Sequence, residues 1–340
     1  MTSANLNIAD NKEVVLEVKG LNTSLYNSSG NTWLKPVRNL NFSIKKNQLL
    51  AIVGESGCGK TVTALSILRL LDPNACQISG EVLINGKDVL SLNNSELEQI
   101  RGRQIAMIFQ DPMTSLNPVK RIGDLILEAI GLHSSISKSD ARKEALRLLD
   151  EVQIPSPKRC LRSYPHELSG GMRQRVMIAI ALSMKPNLII ADEPTTALDV
   201  TVQAQVIKLF KERVKSHGTA TILITHDLAL VAGFADQILV MYAGRIVEYG
   251  PVNRVLMNPA HPYTAGLLAS LCTLESKPGD RLTSIPGNPP QPDNIPTGCA
   301  FHPRCVMAIK KCSTEIPPML PGHFKDHGAA ECHKAWSIKG

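Results

Sequence analysis

The sequence predicts an α/β fold on a mainly parallel sheet, with a helical insertion and a small separate element at the C-terminus. Three observations lead there. Short apolar runs alternate with helix-period stretches through the middle of the chain, the pattern of strands covered on both faces by crossover helices. A glycine-rich stretch, Gly54-Glu55-Ser56-Gly57-Cys58-Gly59-Lys60-Thr61, lies where a strand gives way to a helix. Beyond about residue 250 the composition shifts, and residues 286 to 322 are proline-rich and without period.

The elements follow in order. "VVLEV", "LNFSI" and "LLAIV" read as strands. The helix "TVTALSILRLL" follows the glycine loop, and "GEVLINGKDV" reads as a hairpin turning on Asn85-Gly86. "IAMIF" is a further strand. Residues 112 to 165 change to helical periodicity in "RIGDLILEAIGL" and "SDARKEALRLLDEV", the helical insertion. "MRQRVMIAIALSM" reads as a helix and "NLIIAD" as a buried strand. "VTVQAQVIKLFKERVKS" is a helix stopped by Gly218, and "ATILITH" the next apolar strand. No internal repeat is visible, so each motif occurs once.

Bulk properties narrow the function classes. With 340 residues, 43% of them hydrophobic, the chain can build one large domain and a smaller one, which excludes whole-chain disorder. Aromatics at 4% argue against a base-stacking platform. The net charge of +7 fits a phosphate ligand, an anionic surface or a solvated basic face, and no Lys/Arg block of nucleic-acid type stands out. The stretch "MTSANLNIADNKEVV" has no apolar core, and no run reaches the roughly 18 apolar residues of a membrane span. The expectation is a chain neither exported nor membrane-spanning. Eight cysteines in a chain of this size then read as free thiols or metal ligands rather than disulfides.

The glycine stretch matches G-x-x-x-x-G-K-[ST], a phosphate-binding loop. Its glycines let backbone N–H groups approach phosphate, and the helix start that follows favours negative charge. Lys60 would reach the β- and γ-phosphates of a nucleotide, and the Thr61 hydroxyl would ligate Mg²⁺. The run "LIIADEP" delivers Asp192 and Glu193 to the C-terminal end of a strand, where ligands bind in such sheets. Asp192 suits Mg²⁺, and Glu193 suits a general base that polarises the attacking water. "LSGGMRQR" at 168 to 175 makes a second anion-binding helix start, with Ser169, Gly170 and Gly171 at its head.

These motifs together resemble an ATP-binding cassette (ABC) subunit, and "LSGGMRQR" resembles that family's signature. The resemblance implies a P-loop NTPase fold, with a mainly parallel core sheet, an antiparallel β subdomain and a helical subdomain. It implies ATP and Mg²⁺ as ligands and head-to-tail pairing of two cassettes, the signature of one meeting the γ-phosphate held by the other. Gln110 in "IFQDPMTSLNP" resembles the Q-loop glutamine, which senses Mg²⁺ and the membrane partner. Asp199 in "TTALD" resembles the D-loop aspartate, and His226 in "LITHD" the switch histidine on the γ-phosphate. An aromatic that stacks on adenine is usual near position 25; this chain has Leu25 there, and Tyr26 beside it is the candidate.

"FQDPMTSLNP", "HPYTAGLL" and the cysteine tail resemble, more narrowly, the ATP-binding subunits of bacterial dipeptide/oligopeptide importers. The implied cassette spans 13–265, with its helical subdomain at about 112–180 and an extension at 266–340. The implied partners are two integral-membrane permease subunits, a second ATPase subunit (a copy or a paralogue) and, indirectly, an extracytoplasmic substrate-binding protein. The implied location is the cytoplasmic face of the bacterial inner membrane. Nickel, haem or another small cargo is the alternative within the group. A soluble cassette ATPase acting on nucleic acid is the competing class, but those resemble two cassettes in one chain or carry large insertions, so no nucleic acid is expected here.

Cys299, Cys305, Cys312 and Cys332 are spaced C-x5-C-x6-C-x19-C. Four thiolates suit Zn²⁺ or an iron–sulfur cluster. No C-x2-C knuckle is present, while His302, His323, His327 and His333 keep zinc open. The importer resemblance implies a [4Fe–4S] cluster at the four cysteines.

Overall fold

The computed structural model describes residues 13–195, 198–270, 284–322 and 328–337. Strands β1 (Val14–Asn27) and β2 (Thr32–Lys45) form a long antiparallel hairpin. Then come β3 (Leu49–Val53), helix α1 (Lys60–Ile67), and the short pair β4 (Cys76–Ile84) and β5 (Lys87–Asp88). The order β2-β1-β4-β5 makes a four-stranded antiparallel sheet. Asn85 and Gly86, both at positive φ (48° and 81°), make the tight turn between β4 and β5. Helix α1 stops at Ile67, four residues short of the apolar run that predicts it. Arg69 takes a left-handed φ of 51° there, and its guanidinium donates to the carbonyls of Val89 and Leu92.

Helix α2 (Asn94–Ile100) leads to β6 (Ile105–Ile108), and the helical insertion follows as α3 (Pro112–Ser115), α4 (Ile122–Gly131), α5 (Lys138–Glu151) and α6 (Pro157–Cys160). Ile122, Ile126 and Ile130 lie one turn apart on α4 and are buried against Ala141, Ala145, Leu148 and Leu149 of α5. At the entry of α4, Gly123 donates to the Leu161 carbonyl, and a Cβ there would lie 2.7 Å from that oxygen. The insertion is thereby tied back to its own exit.

Helix α7 (Gly170–Leu182), β7 (Leu188–Asp192), α8 (Val200–His217), β8 (Ala220–Ile224), α9 (Leu228–Phe234), β9 (Gln237–Tyr242) and β10 (Arg245–Pro251) complete the core. Strands β6, β7, β8, β3 and β9 run parallel as neighbours in that order. Gly218, at φ 72°, ends α8 as its sequence predicts. An antiparallel hairpin at Ala243-Gly244 then carries the chain from β9 to β10.

After β10 come α10 (Val252–Met257), α11 (Pro262–Ala269), β11 (Met319–Pro321) and β12 (Ala329–Glu331). Here the structure departs from the expectation of a separate tail. Strand β12 pairs with β10, Glu248 opposite Ala330, so the tail adds two strands to the main sheet. Phe301 packs into one apolar cluster with Tyr242, Tyr263 and Val53. Among the described residues no helix is long and apolar enough to cross a membrane.

Candidate functional site

Strand β3 is fully buried and ends at Val53, where the chain turns through Gly54–Gly59 into α1. Gly59 sits at φ 103°, and a Cβ on it would lie 2.1 Å from the Pro36 carbonyl oxygen, so only glycine fits. The Lys60 side chain folds back inside the loop, its ammonium donating to the carbonyls of Gly54 (2.8 Å) and Glu55 (3.1 Å). It is 6% exposed. Cys58 is buried, and that burial pushes its thiol pKa up, so it packs as a neutral group under the loop.

Strand β7 brings Asp192 beside this loop. Burial raises its carboxyl pKa, while a hydrogen bond from the Thr61 side chain and the charge of Lys60 lower it. One of its oxygens, Oδ1, is buried with no hydrogen-bond partner. A buried orphan carboxylate oxygen next to a threonine hydroxyl is the donor set that a hard divalent cation takes. The residues therefore fit Mg²⁺.

Glu193 follows at φ 44°, a left-handed conformation that costs a non-glycine residue roughly 1–2 kcal/mol. Its N–H donates to the Ile224 carbonyl (2.9 Å), carrying the β7–β8 register one residue past the strand. That conformation aims the carboxylate between two loops. Gln110 Nε2 donates to Oε2 at 3.2 Å, and His226 Nδ1 lies 3.3 Å from Oε1. The next residue, Asp227, caps α9 by accepting from the N–H groups of Ala229 (2.9 Å) and Leu230 (3.1 Å). Gln110, Glu193 and His226, from the ends of three strands, thus converge on one carboxylate beside Asp192.

Of the remaining residues expected from sequence, Gly170 lines a small pocket together with Gln110. Ser169 caps α7, accepting from the Met172 N–H at 3.3 Å. Asp199 caps α8, accepting from the Val202 N–H at 3.0 Å. The two helix starts pack together: a Cβ on Gly170 would meet Leu198 at 3.1 Å, and one on Gly171 would meet Val202 at 2.7 Å. Among the described residues no hydrogen bond joins Ser169 or Asp199 to the loop 54–61. Tyr26 is on β1 directly opposite Trp33 of β2, their ring centroids 5.3 Å apart, and both rings are partly open to solvent. Trp33 is a second exposed aromatic that the sequence reading passed over.

Two contacts onto the loop were also missed. The Tyr263 hydroxyl accepts from the Glu55 N–H at 2.9 Å. The Arg304 guanidinium grips the Glu55 carboxylate. Both residues stand in stretches the sequence reading singled out, the "HPYT" run and the cysteine tail, but nothing local pointed them at the loop.

The iron–sulfur expectation is corrected. Among the described residues no group of three or more His, Cys, Asp or Glu side chains is arranged to hold a metal ion. Cys299 and Cys305 pack against the apolar cluster around Phe301, and Cys332 Sγ accepts from the Lys334 N–H at 3.3 Å. His323 and His327, which kept zinc open, lie outside the described residues.

Comparison with known proteins decides the family. The ABC transporter family pattern matches residues 37–196, and that of the oligopeptide/dipeptide transporter C-terminal region matches 247–312. The oligopeptide transport ATP-binding protein OppD of Escherichia coli K12 is 48% identical over 92% of this chain and 92% of its own. OppD of Bacillus subtilis 168 is 50% identical over 90% of this chain and 85% of its own. The chain belongs to the oligopeptide/dipeptide group of ABC transporter ATP-binding subunits. Its fold is that of solved cassettes. The ATP-binding cassette MJ0796, in a dimeric post-hydrolysis state with ADP and Pi, superposes with a TM-score of 0.62 at 28% identity, over 70% of this chain and 98% of that one. CbiO1 of Clostridium perfringens, part of the transporter complex cbiONQ, gives 0.61 at 28% identity, over 72% and 92%. Membership carries the activity of the family: this is an ABC ATPase.

Proposed function

We propose that this chain powers peptide import, Glu193 acting as the base that activates water against ATP bound on the loop 54–61. The observation that carries the reading is the convergence of Gln110 and His226 on the Glu193 carboxylate, next to Asp192 and the loop. Lys60 binds the β- and γ-phosphates once its ammonium leaves the loop carbonyls. Thr61, Asp192 and Gln110 would hold Mg²⁺, which supplies charge neutralisation on the phosphates when bound. Glu193 accepts the proton of the attacking water, and the Gln110 amide and His226 imidazole fix the direction of its lone pairs.

Ser169, Gly170 and Gly171 serve the nucleotide of a second cassette, which accounts for a helix start free of the chain's own loop, with Asp199 at the shared face. Tyr26 stacks on adenine from the rim of the β1–β2 hairpin. The cassette comprises 13–265, with a helical subdomain at about 112–180 that docks on two permease subunits, and the extension is 266–340. The chain works as a peripheral subunit on the cytoplasmic face of the membrane, and the names of its relatives support oligopeptides as cargo. Steady-state ATPase measurement on Glu193→Gln tests the reading, with turnover expected to fall by about 10²–10³. Wild-type turnover in that variant would remove Glu193 from the role.

A further inference from the structure

Glu55 is the one acid among residues 54–61 of the phosphate loop. It places a carboxylate two residues past the strand, in a loop whose work is to hold polyanionic phosphate. An unpaired negative charge there opposes nucleotide binding. The structure gives it a counter-charge from 249 positions along the chain. Arg304, in the C-terminal extension, donates from Nη1 to Glu55 Oε2 (2.7 Å) and from Nη2 to Oε1 (3.0 Å), a two-pronged fork. The Arg304 side chain is only 6% exposed and that of Glu55 25%.

The rest of the guanidinium is committed locally. Nε donates to the Pro286 carbonyl at 2.9 Å, and Nη1 also reaches the Tyr242 hydroxyl at 3.3 Å. Its carbon lies 5.9 Å from the centre of the Tyr242 ring and 6.0 Å from that of Phe301. Tyr242 and Phe301 meet edge to face and Tyr263 lies tilted against both, at centroid separations of 4.6 to 5.3 Å. The same aromatic group sends the Tyr263 hydroxyl to the Glu55 N–H. The extension therefore holds the side chain of the loop's second residue, while Tyr263, packed against Phe301 of the extension, holds its main chain.

We propose that Arg304 is a positioning residue of the ATP site: the extension neutralises Glu55 and pins the phosphate loop in its binding form. Nucleotide affinity in this chain then depends on a segment outside the cassette. The inference rests on ATP occupying the loop, as proposed above, and is read by affinity rather than by turnover. Losing the fork frees one negative charge beside the phosphates, which weakens ATP binding by roughly tenfold.

The test is a double-mutant cycle on the full-length chain, titrated with Mg²⁺-ATP in a calorimeter. Arg304→Gln is expected to raise the Kd for ATP about tenfold, and Arg304→Lys, which keeps the charge, to restore it to within about threefold. On a Glu55→Gln background, with the repelling charge gone, Arg304→Gln is expected to change Kd by less than about twofold. An unchanged Kd in Arg304→Gln would overturn the proposal. So would a tenfold loss that persists undiminished on the Glu55→Gln background, since the extension would then act through packing alone. If Arg304→Gln does not fold, the cycle is run with Arg304→Lys, whose lost fork must also matter less once Glu55 is neutral. Failure of the wild-type chain to bind ATP would instead fell the functional reading itself.

Discussion

Glu248 is a carboxyl group sealed in the core of β10, 1% exposed, and its titration should be visible in the stability of the fold. It accepts from the N–H groups of Ala260 (2.7 Å) and His261 (3.0 Å). Burial outweighs these donors and raises its pKa from 4.5 to about 7. A raised pKa means the folded state holds the proton more tightly. Its contribution is therefore complete below about pH 4.5 and is lost as pH rises through 7. Beside it, burial lowers the pKa of His261 from 6.5 to about 3, so the histidine's contribution is complete above 6.5 and is lost as pH falls. Each unit is worth about 1.4 kcal/mol, so between pH 5 and 6.5 the two slopes oppose and nearly cancel. Glu248→Gln removes one of them. Urea unfolding at pH 5.0, 5.75 and 6.5 should show the variant gaining about 2 kcal/mol relative to wild type across that interval. Parallel curves for variant and wild type would refute the argument, because they would mean that the carboxyl titrates alike in the folded and unfolded states.

Two further outcomes follow from local geometry. Gly59→Ala places a Cβ against the Pro36 carbonyl at a left-handed φ, and should abolish ATP binding while the far-UV spectrum keeps its helical signal; binding within twofold of wild type would contradict the close approach. Asp227→Ala removes the double cap of α9, the helix that begins two residues after His226, and should cost about 1 kcal/mol of stability together with a larger fractional loss of ATPase turnover than of ATP affinity; equal losses in both would separate the cap from catalysis.

What the sequence made legible and what it hid divide along a physical line. The loop 54–61, the paired acids at the end of β7 and the start of α7 are short motifs whose chemistry is local, and each stands at the strand or helix end its pattern predicts. Gly218 and the Asn85-Gly86 turn were readable because one residue type meets one backbone demand. The hairpin between β9 and β10 escaped because its first turn residue is Ala243, held at φ 44° although alanine disfavours it. Arg38 accounts for that: its guanidinium donates to the Ala243 carbonyl at 2.9 and 2.6 Å, and the partners are 205 residues apart. No window of sequence displays such a bond.

The same distance separates the two readings of the tail. From spacing alone, four cysteines looked like the reason for the extension, since a short proline-rich segment needs a staple. The structure supplies staples of another kind. Strand β12 pairs with β10, and the Arg245 guanidinium donates to Glu331 at 2.7 Å across that seam. Phe301 enters the aromatic group under the loop, and Arg304 lies against Glu55. Each is a contact between residues the sequence presents as unrelated, and each lands on the cassette rather than within the tail. The acid in the phosphate loop and the arginine in the tail explain one another: without Arg304, Glu55 opposes the ligand its loop must hold, and without Glu55, Arg304 is a cation buried to no purpose.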